Sequence, residues 1–145
     1  MRTLVLAVTS LLLSLPAFAQ TQFTTRTVAT DLVIPWEIEL GPDGYMWLTE
    51  RPGIFSKIDM STGEKIVMLD RRDSVHAVAE TGMMGFDWHP DYPDSPYVYV
   101  AMVYGFARPD YRVVNRYTVD TQNFEHDTLI DPFEIFRETP SSYSH

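Results

Sequence analysis

Short runs of branched and aromatic residues alternate with turn residues along the middle of the chain, and this pattern predicts β-strands. The separators are Pro42-Asp43-Gly44, Pro52-Gly53 and Ser61-Thr62-Gly63. Proline presets the first corner of a turn, and glycine accepts the positive φ of the second corner. Four strands joined by such short turns form an antiparallel meander. The predicted strands are Trp36–Leu40, Tyr45–Glu50, Ile54–Asp59 and Lys65–Asp70.

The meander has a second copy farther along the chain. Pro42-Asp43 recurs as Pro90-Asp91, 48 residues later. A four-stranded unit that repeats every ~40–50 residues is typical of a β-propeller blade. We therefore expect an all-β chain with blade 1 at about 36–70 and blade 2 at about 85–129, preceded by a strand around 24–32. Because the repeat is only two copies deep, a self-contained β-sandwich remains the alternative.

The first nineteen residues have the layout of a secretory signal peptide. A basic residue, Arg2, precedes an apolar run from Leu4 to Leu15, and Ala17-Phe18-Ala19 forms a small-x-small cleavage site. The alternative is an uncleaved anchor, but the run is shorter than the ~20 apolar residues that a membrane span needs. We expect cleavage after Ala19, a periplasmic or secreted protein made of residues 20–145, and no membrane span after cleavage.

Composition and charge restrict the classes of partner and the type of fold. The formal net charge is −9 at pH 7, which disfavours nucleic acid and anionic lipid as partners. The chain has no cysteine, so disulfides do not contribute to its fold. With 45% hydrophobic and 13% aromatic residues, it is globular in character. The sequence does not indicate an oligomeric state.

Three stretches together resemble a known family. They are Pro35-Trp36 followed by Gly41-Pro42-Asp43-Gly44 and Leu48-Thr49-Glu50-Arg51; Gly82-Met83-Met84-Gly85 followed by His89-Pro90-Asp91-Tyr92; and Pro140-Ser141-Ser142 ahead of His145. In this combination residues 32–145 resemble the start of the glucose/sorbosone dehydrogenase family. Its members are six-bladed β-propellers and include quinone-dependent sugar dehydrogenases. The resemblance implies that about the first two blades are present here and that a third begins at 145.

The resemblance also implies a chemistry. In this family the histidine after the Pro-Ser-Ser turn is the general base, and His145 matches it. Its pKa near 6.5 keeps neutral imidazole available at neutral pH. The family oxidises the anomeric hydroxyl of aldoses with pyrroloquinoline quinone (PQQ) as the hydride acceptor, and Glu80 matches a sugar-contacting position. The chain would then stop directly after its base, so we expect it to be inactive alone.

Two departures put glucose specificity in doubt. Ser144 precedes the base where the quinone-dependent glucose enzymes have aspartate, and Glu80 replaces a glutamine. PQQ and calcium are expected for the whole family, but their ligands belong to later blades. We therefore identify no cofactor-binding or metal-binding residue in this stretch. A non-enzymatic secreted propeller that binds glycans or a protein partner is the alternative function.

The remaining candidate residues have structural explanations. We expect His89 to form a hydrogen bond within its own turn and Met83 and Met84 to fill the core. His76 and Glu80 are four residues apart and would share one face of a helical turn at 74–81, but two ligands do not make a metal site.

Overall fold

Eight strands form two four-stranded antiparallel sheets, in each of which every strand pairs with the next one along the chain. The computed structural model describes residues 21–105, 111–122 and 128–139. The first sheet contains β1 (Pro35–Leu40), β2 (Met46–Glu50), β3 (Ile54–Ile58) and β4 (Lys65–Asp70), and the second contains β5 (Met83–Trp88), β6 (Tyr97–Tyr104), β7 (Tyr111–Asp120) and β8 (Thr128–Glu138). The predicted all-β class is confirmed. Within these described ranges no helix is long and apolar enough to cross a membrane.

The main core lies between the two sheets and is aromatic at its centre. The rings of Trp47 and Trp88 meet edge to face at 5.7 Å, and those of Phe55 and Phe86 do so at 4.8 Å. Each pair joins one residue of the first sheet to one of the second. Such pairs contribute ~0.5–1.5 kcal/mol each beyond the area they bury. Met83 is fully buried in the same cluster, as predicted, whereas Met84 is only partly buried.

The outer faces of the two sheets also carry apolar side chains. Leu40 on β1 is 64% exposed and Phe133 on β8 is 58% exposed. The exposed apolar residues of these two strands are Trp36, Ile38, Leu40, Ile130, Phe133, Ile135 and Phe136. A sandwich buries one face of each sheet and solvates the other. Sheets that are apolar on both faces instead indicate blades that stack on neighbours on either side, which favours the propeller over the sandwich.

Side chains of the first sheet satisfy the free edge of β5. The Thr49 hydroxyl donates to the carbonyl oxygen of Met84 at 2.5 Å, and a carboxylate oxygen of Glu37 accepts from the Phe86 N–H at 2.7 Å. Because β5 is the edge strand of its sheet, these backbone groups have no neighbouring strand on that side. Polar bonds therefore join the blades next to their aromatic core.

The prediction of a strand around 24–32 is wrong, because no strand precedes β1 in the described chain. Residues of this segment contact turns and side chains instead. Arg26 donates to the Met60 carbonyl at 2.7 Å, and the N–H of Val33 donates to the buried carboxylate of Glu50 at 2.5 Å. The same carboxylate forms an ion pair with Lys65. The segment covers part of the outer face of the first sheet without forming a strand ladder.

Two further segments differ from expectation. Residues 74–81 form turns and an isolated bridge rather than a helical turn. The second sheet starts at Met83 and continues to Glu138, beyond the expected range of about 85–129. Pro132 lies within β8, and a proline is tolerated there because an edge strand needs no ladder bond on its open side.

Candidate functional site

The connections between strands bring three segments together at one end of the two sheets, which we call the loop end. They are the β2–β3 turn, the β4–β5 connection at 71–82, and the end of β6. Arg71 donates to the Gly53 carbonyl at 2.7 Å, and the N–H of His76 donates to the Val103 carbonyl at 2.8 Å. Gly105 donates back to the Ser74 carbonyl at 3.2 Å. The β4–β5 connection is thus bonded to both blades.

Glu80 lies at the tip of a tight turn in this connection. The N–H of Thr81 donates to the Val78 carbonyl at 3.0 Å, which closes the turn, and Ala79 adopts φ 52° in it. The buried Thr81 hydroxyl lies 2.8 Å from the His76 carbonyl oxygen and 2.7 Å from that of Val78, and it also accepts from the Val78 N–H. These bonds fix the shape of the turn that presents Glu80.

The Glu80 side chain is exposed at the loop end. Within the described ranges 21–105, 111–122 and 128–139, its carboxylate makes no hydrogen bond or ion pair. A carboxylate on a fixed turn with free lone pairs can accept hydrogen bonds from the hydroxyl groups of a bound sugar. The geometry of Glu80 is therefore compatible with the sugar-contacting role that the family resemblance implies.

His145 lies outside the described residues. The strand that precedes it, β8, ends at Glu138, which forms an ion pair with Arg112 at 2.8 Å. Arg112 is the second residue of β7 and pairs with Val103 near the end of β6, so β8 ends at the loop end. The chain toward His145 therefore leaves the second sheet at the end where Glu80 is presented.

Tyr104 is a second titratable group at the loop end, and it is unsuited to act as a base. Burial raises the pKa of Tyr104 to about 12, and the neighbouring Tyr117 acts in the same direction. The amide of Asn115 donates to the Tyr104 hydroxyl at 3.4 Å. A phenol with this pKa is protonated at neutral pH, so Tyr104 can donate a hydrogen bond but does not supply a general base.

Strands β1 and β5, which face each other across the two sheets, carry carboxylates and no lysine or arginine. Burial raises the pKa of Glu39 on β1, and the nearby charges of Glu37 and Asp87 add to the effect. A cavity of about 270 Å³ beside β5 is lined in part by Glu37 and Asp87, and no cation is among its described lining residues. PQQ is an anion, so these carboxylates would repel it. This cavity is therefore unsuited to the anionic quinone.

The other predicted site features behave as structural elements. His89 accepts a hydrogen bond from the Asp91 N–H at 3.1 Å, so its bond within the turn is confirmed. His76 is buried beneath the loop end, whereas Glu80 is exposed. In the part of the chain that the structure describes, no three potential ligands cluster in a way that could hold a metal ion.

Comparison with known proteins then identifies the family. A family model for glucose/sorbosone dehydrogenase matches residues 32–145. The chain belongs to this family. Quinoprotein glucose dehydrogenase B of Acinetobacter calcoaceticus is 28% identical over 131 residues, which are 85% of this chain and 27% of that protein.

Solved structures of the glucose/sorbosone dehydrogenase type match the fold. The PQQ-bound aldose sugar dehydrogenase of Streptomyces coelicolor superposes with a TM-score of 0.66 at 28% identity, over 79% of this chain and 33% of that chain. A Thermus thermophilus protein described as an oxidoreductase (glucose dehydrogenase) gives a TM-score of 0.66 at 26% identity, over 81% of this chain and 32% of that chain. The chain thus spans about a third of the length of these β-propellers, and its two sheets correspond to two of their blades.

Sequence reasoning missed one residue of this loop end. Arg51, directly after β2, donates from its guanidinium to the Ala79 carbonyl beside Glu80. Arg51 was noted only as part of the Leu-Thr-Glu-Arg stretch. The contact joins residues 28 positions apart, and no local pattern of the sequence indicates it.

Proposed function

We propose that this chain contributes two blades, with part of the active site, to an exported PQQ-dependent dehydrogenase that oxidises the anomeric hydroxyl of an aldose. The observation that carries the proposal is the fixed, exposed Glu80 carboxylate at the loop end of a family propeller. The Streptomyces coelicolor relative is an aldose sugar dehydrogenase solved with PQQ bound, which supports this substrate class and cofactor.

Each of the two site residues has a separate role in this proposal. Glu80 accepts a hydrogen bond from a sugar hydroxyl and orients the ring. His145 takes the proton from the anomeric hydroxyl as that carbon is oxidised, because neutral imidazole is a base at neutral pH. In this proposal PQQ and calcium are held by residues of later blades, as the family resemblance implies.

The proposal is tested in a completed propeller, which we define as residues 20–145 followed by the downstream blades of the Streptomyces coelicolor enzyme. Quinone-dependent dye reduction is measured across a panel of aldoses with PQQ and calcium supplied. We expect His145→Ala to lower kcat by ~10²–10⁴, the usual effect of losing a general base. Glu80→Ala should instead raise KM more than it lowers kcat, as expected of a contact that is equally strong in the ground and transition states.

A matched control uses the histidine at the opposite end of the second sheet. His89→Asn keeps an acceptor for the Asp91 N–H and should leave kcat unchanged. Equal rates for His145→Ala and the parent protein would show that the base is assigned wrongly. A completed propeller that folds but oxidises no aldose and binds no quinone would support the alternative, a secreted propeller that binds glycans or a protein partner.

A further inference from the structure

Arg51 connects the first blade to the turn that presents Glu80. Its N–H donates to the Ile34 carbonyl at 3.0 Å, and its own carbonyl accepts from the Met83 N–H at 3.0 Å. Both backbone groups of Arg51 are therefore fixed where the two blades meet. From this fixed position its guanidinium donates to the carbonyl oxygen of Ala79, the residue directly before Glu80.

Gly82 leaves the space through which the Arg51 side chain passes. Gly82 has φ 152°, and a Cβ there would lie only 2.5 Å from the Arg51 carbonyl oxygen and would clash with Arg51 Cγ. A side chain at this position would displace Arg51 from its path toward Ala79. The glycine and the arginine thus form one arrangement that directs a guanidinium at the Glu80 turn.

The turn is held by two sets of bonds with different consequences. The Thr81 hydroxyl bonds only within residues 76–81, so it fixes the internal shape of the turn. Arg51 is a residue of the first blade that bonds the same turn from outside. Without the guanidinium the turn would keep its internal bonds, but it would open more often because it would no longer be tied to the first blade at Ala79.

We propose that Arg51 is a positioning residue for sugar binding, which acts by fixing the Ala79–Glu80 peptide against the first blade so that the Glu80 carboxylate meets the sugar. The proposal rests on the proposed function, because it requires Glu80 to contact the substrate. The Arg51–Ala79 bond is exposed at the loop end, and its donor is charged, which makes it stronger than a hydrogen bond between neutral groups.

The kinetic test is a double-mutant cycle in the completed propeller. Arg51→Met keeps the methylene that packs over Gly82 and removes the donor. We expect it to raise the aldose KM about tenfold, the effect of losing one such hydrogen bond, with kcat within about twofold of the parent. In the Glu80→Ala background Arg51→Met should add no further rise in KM. Arg51→Lys, which keeps a cationic donor, should restore part of the lost affinity.

The matched control is Arg72→Met, which removes an exposed guanidinium from the same connection. Arg72 pairs with Asp70 and has no bond to the turn, so its loss should leave KM unchanged. An unchanged KM for Arg51→Met, or effects of Arg51→Met and Glu80→Ala that simply add, would overturn the inference. If Arg51→Met does not fold, Arg51→Gln replaces it in the cycle and is held to the same outcomes.

A second readout does not depend on activity. Amide hydrogen exchange at Thr81, whose N–H closes the turn, should become faster in Arg51→Met, while exchange at His76, which bonds to β6, stays unchanged. Unchanged exchange at Thr81 would also overturn the inference. If Glu80→Ala leaves KM unchanged while Arg51→Met accelerates exchange, the sugar contact of the proposed function fails, although Arg51 still fixes the turn.

Discussion

Removing the Glu37 carboxylate should loosen the contact between β1 of the first blade and β5 of the second. Glu37 accepts the Phe86 N–H at 2.7 Å, and Phe86 is only 6% exposed. After Glu37→Ala this N–H keeps no side-chain acceptor. Hydrogen bonds to charged groups contribute ~1.5–3 kcal/mol, so the free energy of local opening at Phe86 should fall by about that amount. Since ~1.4 kcal/mol corresponds to a factor of ten, the Phe86 amide should exchange about 10- to 150-fold faster.

The assay is amide hydrogen exchange of the completed propeller under conditions in which exchange reports the opening equilibrium. Glu37→Gln keeps an acceptor without its charge and should give a smaller acceleration than Glu37→Ala. Glu64→Ala removes an exposed carboxylate from the β3–β4 turn and should leave Phe86 unaffected. If Phe86 exchanges equally fast in Glu37→Ala and in the parent protein, the Glu37 bond does not hold the blades together.

Three further predictions concern charge, export and the outer faces. Burial and the charges of Glu37 and Asp87 raise the pKa of Glu39, so ionisation of Glu39 destabilises the fold as the pH rises through that raised pKa. Glu39→Gln should therefore raise Tm at pH 7 but not at a pH below the ordinary pKa of 4.5. An equal rise in Tm at both pH values would exclude charge as the cause. Intact mass of the exported protein should show cleavage after Ala19, and retention of the leader would contradict this. Residues 20–145 alone expose apolar blade faces and should lack a cooperative thermal transition, whereas a sharp melt of a monomer would contradict the two-blade account.

The strands of the first blade could be predicted because their signals are local. Turn residues such as Pro52-Gly53 determine where a strand ends. The distance between two successive turns therefore sets the length of the strand between them. The structure places β4 at Lys65–Asp70, as predicted, and begins β1 one residue before the predicted Trp36. The segment that contains Glu80 was predicted as a helical turn, which is wrong, and only the resemblance to the family gave Glu80 a role.

The bonds that build the site could not be predicted, because they join residues distant in sequence. Glu37 and Phe86 are 49 positions apart, and their bond depends on how the two blades pack. The segment before β1 was predicted as a strand. Strand formation also requires a partner edge, and the described chain pairs this segment with none. Propensity alone does not supply that information.

The central claim is that the loop end of these two blades binds the sugar through Glu80. The measurement that tests it most directly is a crystal structure of the completed propeller with PQQ and a bound aldose. The account predicts a Glu80 carboxylate oxygen within ~2.5–3.0 Å of a sugar hydroxyl oxygen, on a turn held by Arg51 at Ala79. A sugar bound at the opposite end of the blades, or at the loop end without contact to Glu80, would contradict it.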